Sequence, residues 1–172
     1  GMALTDNKRV KGGHVLGVGY YNTWANLQLT ASAGRCAFTR KLKTGEWINV
    51  PLAHGEGRFI LPHELLEKII ANEQKVFRYC DNNGIISDEF PTNPNGSMYN
   101  LAAVCNPTGN VMAMMPHPER TKNGDSIFSS MKDFIENGNP ITNHFLSFDR
   151  PHYEVEDYDP NPEATEWVID MI

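Results

Sequence analysis

The segment "MMPHPER" (residues 114–120) sets an imidazole, His117, and a carboxylate, Glu119, two residues apart at the end of an apolar run. A histidine can take a proton from a nucleophile and return it to a leaving group, and a carboxylate bonded to its second nitrogen fixes the tautomer and stabilises the imidazolium. Pro116 and Pro118 leave the segment few conformations, so both side chains stand on a stiff support. Taken alone, the same pair also describes a turn histidine beside an ion-pairing acid.

A second segment, "AHGEGRF" (53–59), carries His54, Gly55, Glu56 and Gly57. Together with the first it offers four nitrogen and oxygen ligands, His54, Glu56, His117 and Glu119, which is the composition of a metal site. Two His-x-Glu pairs are a weak metal signal, because nothing fixes side chains in a Gly-Glu-Gly loop, and no metal is assigned. The alternative is that the amides of Gly55 and Gly57 bind a small polar ligand, as glycine-rich turns do for carboxylates.

These residues must be positioned by an intermixture of strands and helices. "HVLGVGYY", "TWANLQLTA", "GEWINVPLA" and "KVFRYCD" have the β-branched and aromatic content of strands, the last of them short and buried. The glycines of "HGEGRF" mark a loop. "YNLAAVC" and "NVMAMMP", separated by Asn106-Pro107-Thr108-Gly109, read as antiparallel strands joined by a tight return.

Two helices are expected. "LPHELLEKIIANEQ" has Pro62 at its first turn and Leu65, Leu66, Ile69 and Ile70 at helical spacing. "DSIFSSMKDFIENG" has Asp125 or Ser126 to cap it, Ile127, Met131, Phe134 and Ile135 on one face, and Gly138 to end it. Residues 1–13 read as a loose arm. The whole is an α/β or α+β domain without the repeated strand–helix–strand units and glycine-rich first turn of a complete doubly wound nucleotide or nucleophile-elbow domain.

At 172 residues, 40% hydrophobic and 21% charged, the chain is long enough for one soluble domain. It has no apolar run of membrane-spanning length and no signal-peptide pattern, so a cytoplasmic location with no membrane partner is expected. Gly1-Met2 looks like a tag remnant before a start methionine. Cys36, Cys80 and Cys105 lack metal-type spacing and read as buried small hydrophobes in a reducing compartment. The net charge of −6 and the lack of a basic cluster argue against a nucleic-acid partner. Most of the acidity lies in residues 139–172, where eight acids face Arg150 alone, leaving the first 138 residues near +1.

"PLAHGEGRF" (51–59), "NPNGSMYNLAAVCNPTGNV" (93–111) and "MMPHPER" (114–120), in this order, resemble the glutaminase subunit of phosphoribosylformylglycinamidine synthase, a class I glutamine amidotransferase of purine biosynthesis. "GDSIFSSMKDFI" resembles that family's last helix. The resemblance covers roughly residues 36–136 well, the first 35 poorly and the tail not at all. It implies part of a flavodoxin-like α/β fold with a mixed sheet and few helices, amide hydrolysis by a Cys-His-Glu triad, and transfer of ammonia to a synthetase subunit that holds ATP and magnesium, with no cofactor in this chain. His117 and Glu119 match the family's base and orienting acid, and His54 to Gly57 match a loop that lines the glutamine site.

The resemblance also implies a nucleophile in a "GxCNG"-type elbow far upstream of His117, and no such elbow occurs here. "VLGVGYYN" (15–22) has Gly19 where sulfur is required. Either the sequence starts downstream of the first half of the fold or a short arm replaces that half; the resemblance of "ALTDNKR" to the segment after the elbow favours the former. Residues 1–138 then form the C-terminal part of an amidotransferase domain, with 139–172 an acidic, aromatic-containing extension. The cysteine must come from a partner chain or segment, and the exposed half-sheet must be covered by that partner, by another copy of the chain or by its own extension. The alternative is a non-catalytic assembly module of the same synthase.

Overall fold

Alternation places Ala25, Leu27 and Leu29 on one side of the strand Tyr21–Leu29 and Ile48, Val50 and Leu52 on one side of Trp47–His54, and antiparallel pairing sets Ala25 opposite Val50 and Leu27 opposite Ile48. These strands belong to a computed structural model that describes residues 1–137. In chain order the strands are β1 (Ala3–Asp6), β2 (Lys8–Lys11), β3 (His14–Val18), β4 (Tyr21–Leu29), β5 (Trp47–His54), β6 (Glu56–Ile60), β7 (Lys75–Cys80), β8 (Leu101–Cys105) and β9 (Met112–Met114). The helices are α1 (His63–Ala71) and α2 (Asp125–Asn137).

Five strands form the main sheet in the order β5-β4-β7-β8-β9; β1 pairs with β6 and β2 with β3. Every ladder among the described strands is antiparallel. β8, "LAAVC", is buried along its whole length because it packs on both faces. One face carries the larger core of Leu27, Leu52, Phe77, Tyr79 and Ile127; against the other, Leu101 and Val104 meet Phe59 of β6 and Leu66 and Ile69 of α1. The expected Asn106–Gly109 return joins β8 to β9, with Gly109 at φ +71° and the Asn106 side chain accepting from the amides of Asn110 and Val111.

The sheet is curled, for a covalent reason. β9 is one edge and β5 the other, yet His117, three residues past Met114, donates its backbone N–H to Pro51 of β5 at 2.8 Å. Three residues span at most about 10 Å, so the two edges must approach each other.

Several expectations change. Residues 1–13 are not a loose arm: β1 and β2 occupy most of them, and Asn7 between the two is fully buried. "HGEGRF" is not an extended loop, because β6 begins at Glu56 and the chain turns at Gly55 alone. α2 starts at Asp125 without a cap from that residue; Thr121 accepts from the Asn123 amide in the preceding turn instead. Ile127 is buried as expected, but Ile135 is exposed, and the buried face of the helix continues through Ser130, whose hydroxyl accepts from the Lys41 amide. Gly138 and the extension 139–172 lie outside the described residues.

Candidate active site

The free edge of β5 holds the His-Pro-Glu segment. Besides the His117 amide on Pro51, the Asn123 side chain donates to the Asn49 carbonyl at 2.9 Å, so residues 117–123 run beside β5 and occupy its open edge. Pro118 starts a 3-10 turn, Pro118–Arg120, a position where its missing N–H leaves no bond unmade. A second turn, Lys122–Gly124, packs back against the first. A Cβ on Gly124 would sit 2.2 Å from the Pro118 carbonyl oxygen, so only glycine allows the two turns to approach this closely. Gly124→Ala is expected to lower stability by about 1–3 kcal/mol and to displace Glu119 from His117. Urea midpoints and the His117 ring proton shifts check both effects.

On this support His117 Nδ1 lies 2.8 Å from Glu119 Oε1. Partial desolvation pulls the Glu119 carboxyl upward, but its own backbone N–H, the His117 ring and Arg120 together hold it below the ordinary carboxylate range. Glu119 is therefore ionised at neutral pH and only accepts, which puts the ring proton on Nδ1 and leaves the Nε2 lone pair free. A histidine held in this tautomer can take up a proton at Nε2.

His54 ends β5 beside this pair. Its ring lies over Gly57, where a Cβ would come within 2.0 Å of it, and neither ring nitrogen has a partner among the described residues. Burial, reinforced by the neighbouring His117, lowers its pKa to about 4. Between that value and the ordinary histidine value near 6.5 the unfolded chain binds a proton that the folded chain does not. Stability is thus expected to be full above about pH 6.5 and to fall as pH drops towards 4; His54→Phe should flatten that window in urea midpoints measured against pH.

The turn that carries His54 is bracketed by residues the sequence did not single out. Asn7 donates its amide N–H to the His54 carbonyl, accepts from Gly57 N–H at 3.2 Å, and gives its own backbone N–H to the Gly55 carbonyl at 2.8 Å. The Gly57 amide is therefore engaged within the chain, which removes it from the set expected to bind a ligand. On the other side Asn95 donates to the Gly57 carbonyl at 2.7 Å and Ser97 accepts from Phe59 N–H at 3.1 Å, both side chains being buried. Glu56 is exposed on β6. The four-ligand metal grouping does not form: among the described residues no three His, Cys, Asp or Glu side chains are placed to hold an ion.

All three cysteines of the chain are buried and free. Cys36 and Cys105 both lie in the larger core, and the neighbouring Cys105 thiol, followed by burial, pushes the Cys36 thiol far up. Burial, with Asp81 nearby, pushes Cys80 up to about 11. His117 bonds none of them; its ring partner is Glu119.

Residues 18–145 match the family described as the CobB/CobQ-like glutamine amidotransferase domain. The phosphoribosylformylglycinamidine synthase subunit PurQ of Methanothrix thermoacetophila is 40% identical over 152 residues, 78% of this chain and 58% of that protein. The PurQ subunit of Aquifex aeolicus is 50% identical over 97 residues, 56% of this chain and 41% of that protein. A chain in the solved structure of PurLQS from Thermotoga maritima superposes with a TM-score of 0.57 at 27% identity, covering 79% of this chain and 54% of that one. The chain thus spans about half the length of the relatives it matches.

Proposed function

The chain belongs to the CobB/CobQ-like glutamine amidotransferase domain family, and we propose that it is the base-bearing portion of the glutaminase subunit of phosphoribosylformylglycinamidine synthase. Its fold is that of a class I glutamine amidotransferase, represented here by the curled sheet, α1 and α2. The observation that carries the proposal is the 2.8 Å His117–Glu119 pair, locked to the edge of β5 beside the His54–Gly57 turn.

In the reaction proposed, a cysteine thiol from outside these 172 residues gives its proton to His117 Nε2 and attacks the side-chain carbonyl carbon of glutamine. The C–N bond breaks, and His117 returns the proton to the departing nitrogen, which leaves as ammonia. Water, deprotonated by the same imidazole, then cleaves the thioester to give glutamate. Glu119 keeps the ring oriented and stabilises its charged form. The His54–Gly57 turn lines the glutamine site with its backbone rather than its side chains facing the substrate, the His54 ring nitrogens being buried. Ammonia passes to a synthetase partner, which holds the ATP and magnesium; the naming of the relatives as synthase subunits supports a partner of this kind.

The test is glutamate release from glutamine by the purified chain, alone and mixed with a polypeptide bearing the family's cysteine elbow. Release is expected only from the mixture. No release from a mixture that forms a complex would count against the proposal and favour a purely architectural role in the synthase.

A further inference from the structure

Gly57 is a bulge residue. Along the β1–β6 ladder Thr5 faces Arg58 and Asp6 faces Glu56, so Gly57 is passed over and its peptide groups find no opposite number in β1. Two side-chain amides take them instead: Asn7 accepts from the Gly57 N–H at 3.2 Å, and Asn95 donates to the Gly57 carbonyl at 2.7 Å. Asn7, the residue between β1 and β2, goes further. It is fully buried, donates its side-chain N–H to the His54 carbonyl and its backbone N–H to the Gly55 carbonyl at 2.8 Å, and accepts from the Gly19 N–H at 3.0 Å on its own carbonyl.

Residues 54 to 57 are joined by three peptide planes, and Asn7 holds one pole of each: the His54 carbonyl, the Gly55 carbonyl and the Gly57 N–H. A trans peptide is planar with its N–H and C=O pointing opposite ways, so fixing one pole aims the other. The Gly55 N–H is thereby directed away from Asn7. Asn7 stands here in place of a strand, and a side chain in that role can be replaced without removing a ladder.

We propose that Asn7 is a positioning residue for glutamine binding, its amide anchoring the His54–Gly57 turn so that the Gly55 N–H faces the substrate. The inference rests on the glutaminase reading and adds to it a residue that touches neither substrate nor His117. It is tested by steady-state glutamine hydrolysis with the full chain complemented by the cysteine-bearing polypeptide, comparing the parent with Asn7→Ala, Asn7→Asp and Gly13→Ala. The last is a control for loss of stability away from the turn.

Asn7→Ala is expected to raise KM for glutamine about tenfold with kcat nearly unchanged, since a backbone contact made equally in the ground and transition states acts on binding. Gly13→Ala should leave KM where it was. Asn7→Asp supplies a signature that general loosening does not: ionised, the carboxylate opposes the His54 carbonyl, whereas protonated it donates to that carbonyl and still accepts from Gly57. Burial favours the protonated form, so the KM ratio of Asn7→Asp to the parent should fall towards one between about pH 8 and about pH 5.5.

An active parent with KM unchanged in both Asn7 variants overturns the proposal. So does an equal rise in Gly13→Ala, a KM ratio that ignores pH, or failure of both Asn7 variants to fold, which assigns the residue a purely structural part. A complemented parent that hydrolyses no glutamine defeats the glutaminase reading itself, and this inference with it.

Discussion

Alanine at His117 is expected to lower glutamine hydrolysis by the complemented protein about 10²–10⁴-fold, the usual contribution of a positioned general acid–base. The loss should fall on kcat rather than KM, because in the proposed reaction the ring transfers protons and does not bind the substrate. The fold should be unaffected: the contact that docks the segment on β5 is the backbone N–H of residue 117, which alanine keeps, and the ring is partly exposed. Glu119→Gln is the informative companion. The amide preserves the shape but can donate to Nδ1, so part of the imidazole population carries its proton on the wrong nitrogen. A fall in kcat with an unchanged urea midpoint for both variants is the predicted pattern, and unchanged kcat in His117→Ala would remove the residue from the mechanism.

Gly96→Ala is expected to be the most destabilising single methyl in the described body, at about 2–4 kcal/mol. Gly96 has φ +74°, and a Cβ there would lie 2.3 Å from the Lys8 carbonyl oxygen, a backbone atom that cannot swing aside. Its own carbonyl accepts from Arg58 Nε at 2.9 Å, and Lys8 N–H reaches the neighbouring Asn95 carbonyl, so a shift at this point propagates to β6, to Asn95 and to the turn that carries His54. Gly13→Ala separates the two contributions. Gly13 has φ +77° with open space around it, so alanine there pays only for the left-handed backbone, about 1–2 kcal/mol. Chemical denaturation of both variants checks the difference, and equal losses would mean that the close approach to Lys8 is relieved without strain.

The regular elements were legible wherever one face is buried. Leu66 and Ile69 of α1, the β8–β9 return and the fully apolar β8 all announce themselves by period or by turn residues. The His117–Glu119 pair was legible too, because two prolines constrain a separation of only two residues. What could not be read was the bracket that places it opposite His54. Asn7 is a polar residue in a polar stretch, and its burial depends on partners 47 to 50 residues away. β1 and β2 were hidden for the same reason: their short, charged sequences become strands only through pairing with β6 and β3. Asn95 and Ser97 stood inside a motif noticed by resemblance, but their role as ligands for the backbone of β6 follows from the tertiary structure alone.

The central claim is that this chain contributes the base and its orienting acid while the sulfur is supplied from beyond its 172 residues. The most direct measurement is covalent labelling of the complemented protein with an electrophilic glutamine analogue, followed by mass mapping of the modified residue. Stoichiometric labelling of the cysteine on the complementing polypeptide, abolished by an excess of glutamine and slowed in His117→Ala, is the predicted result. Glutamine-protected labelling of Cys36, Cys80 or Cys105, with glutamate released by the chain in isolation, would contradict it.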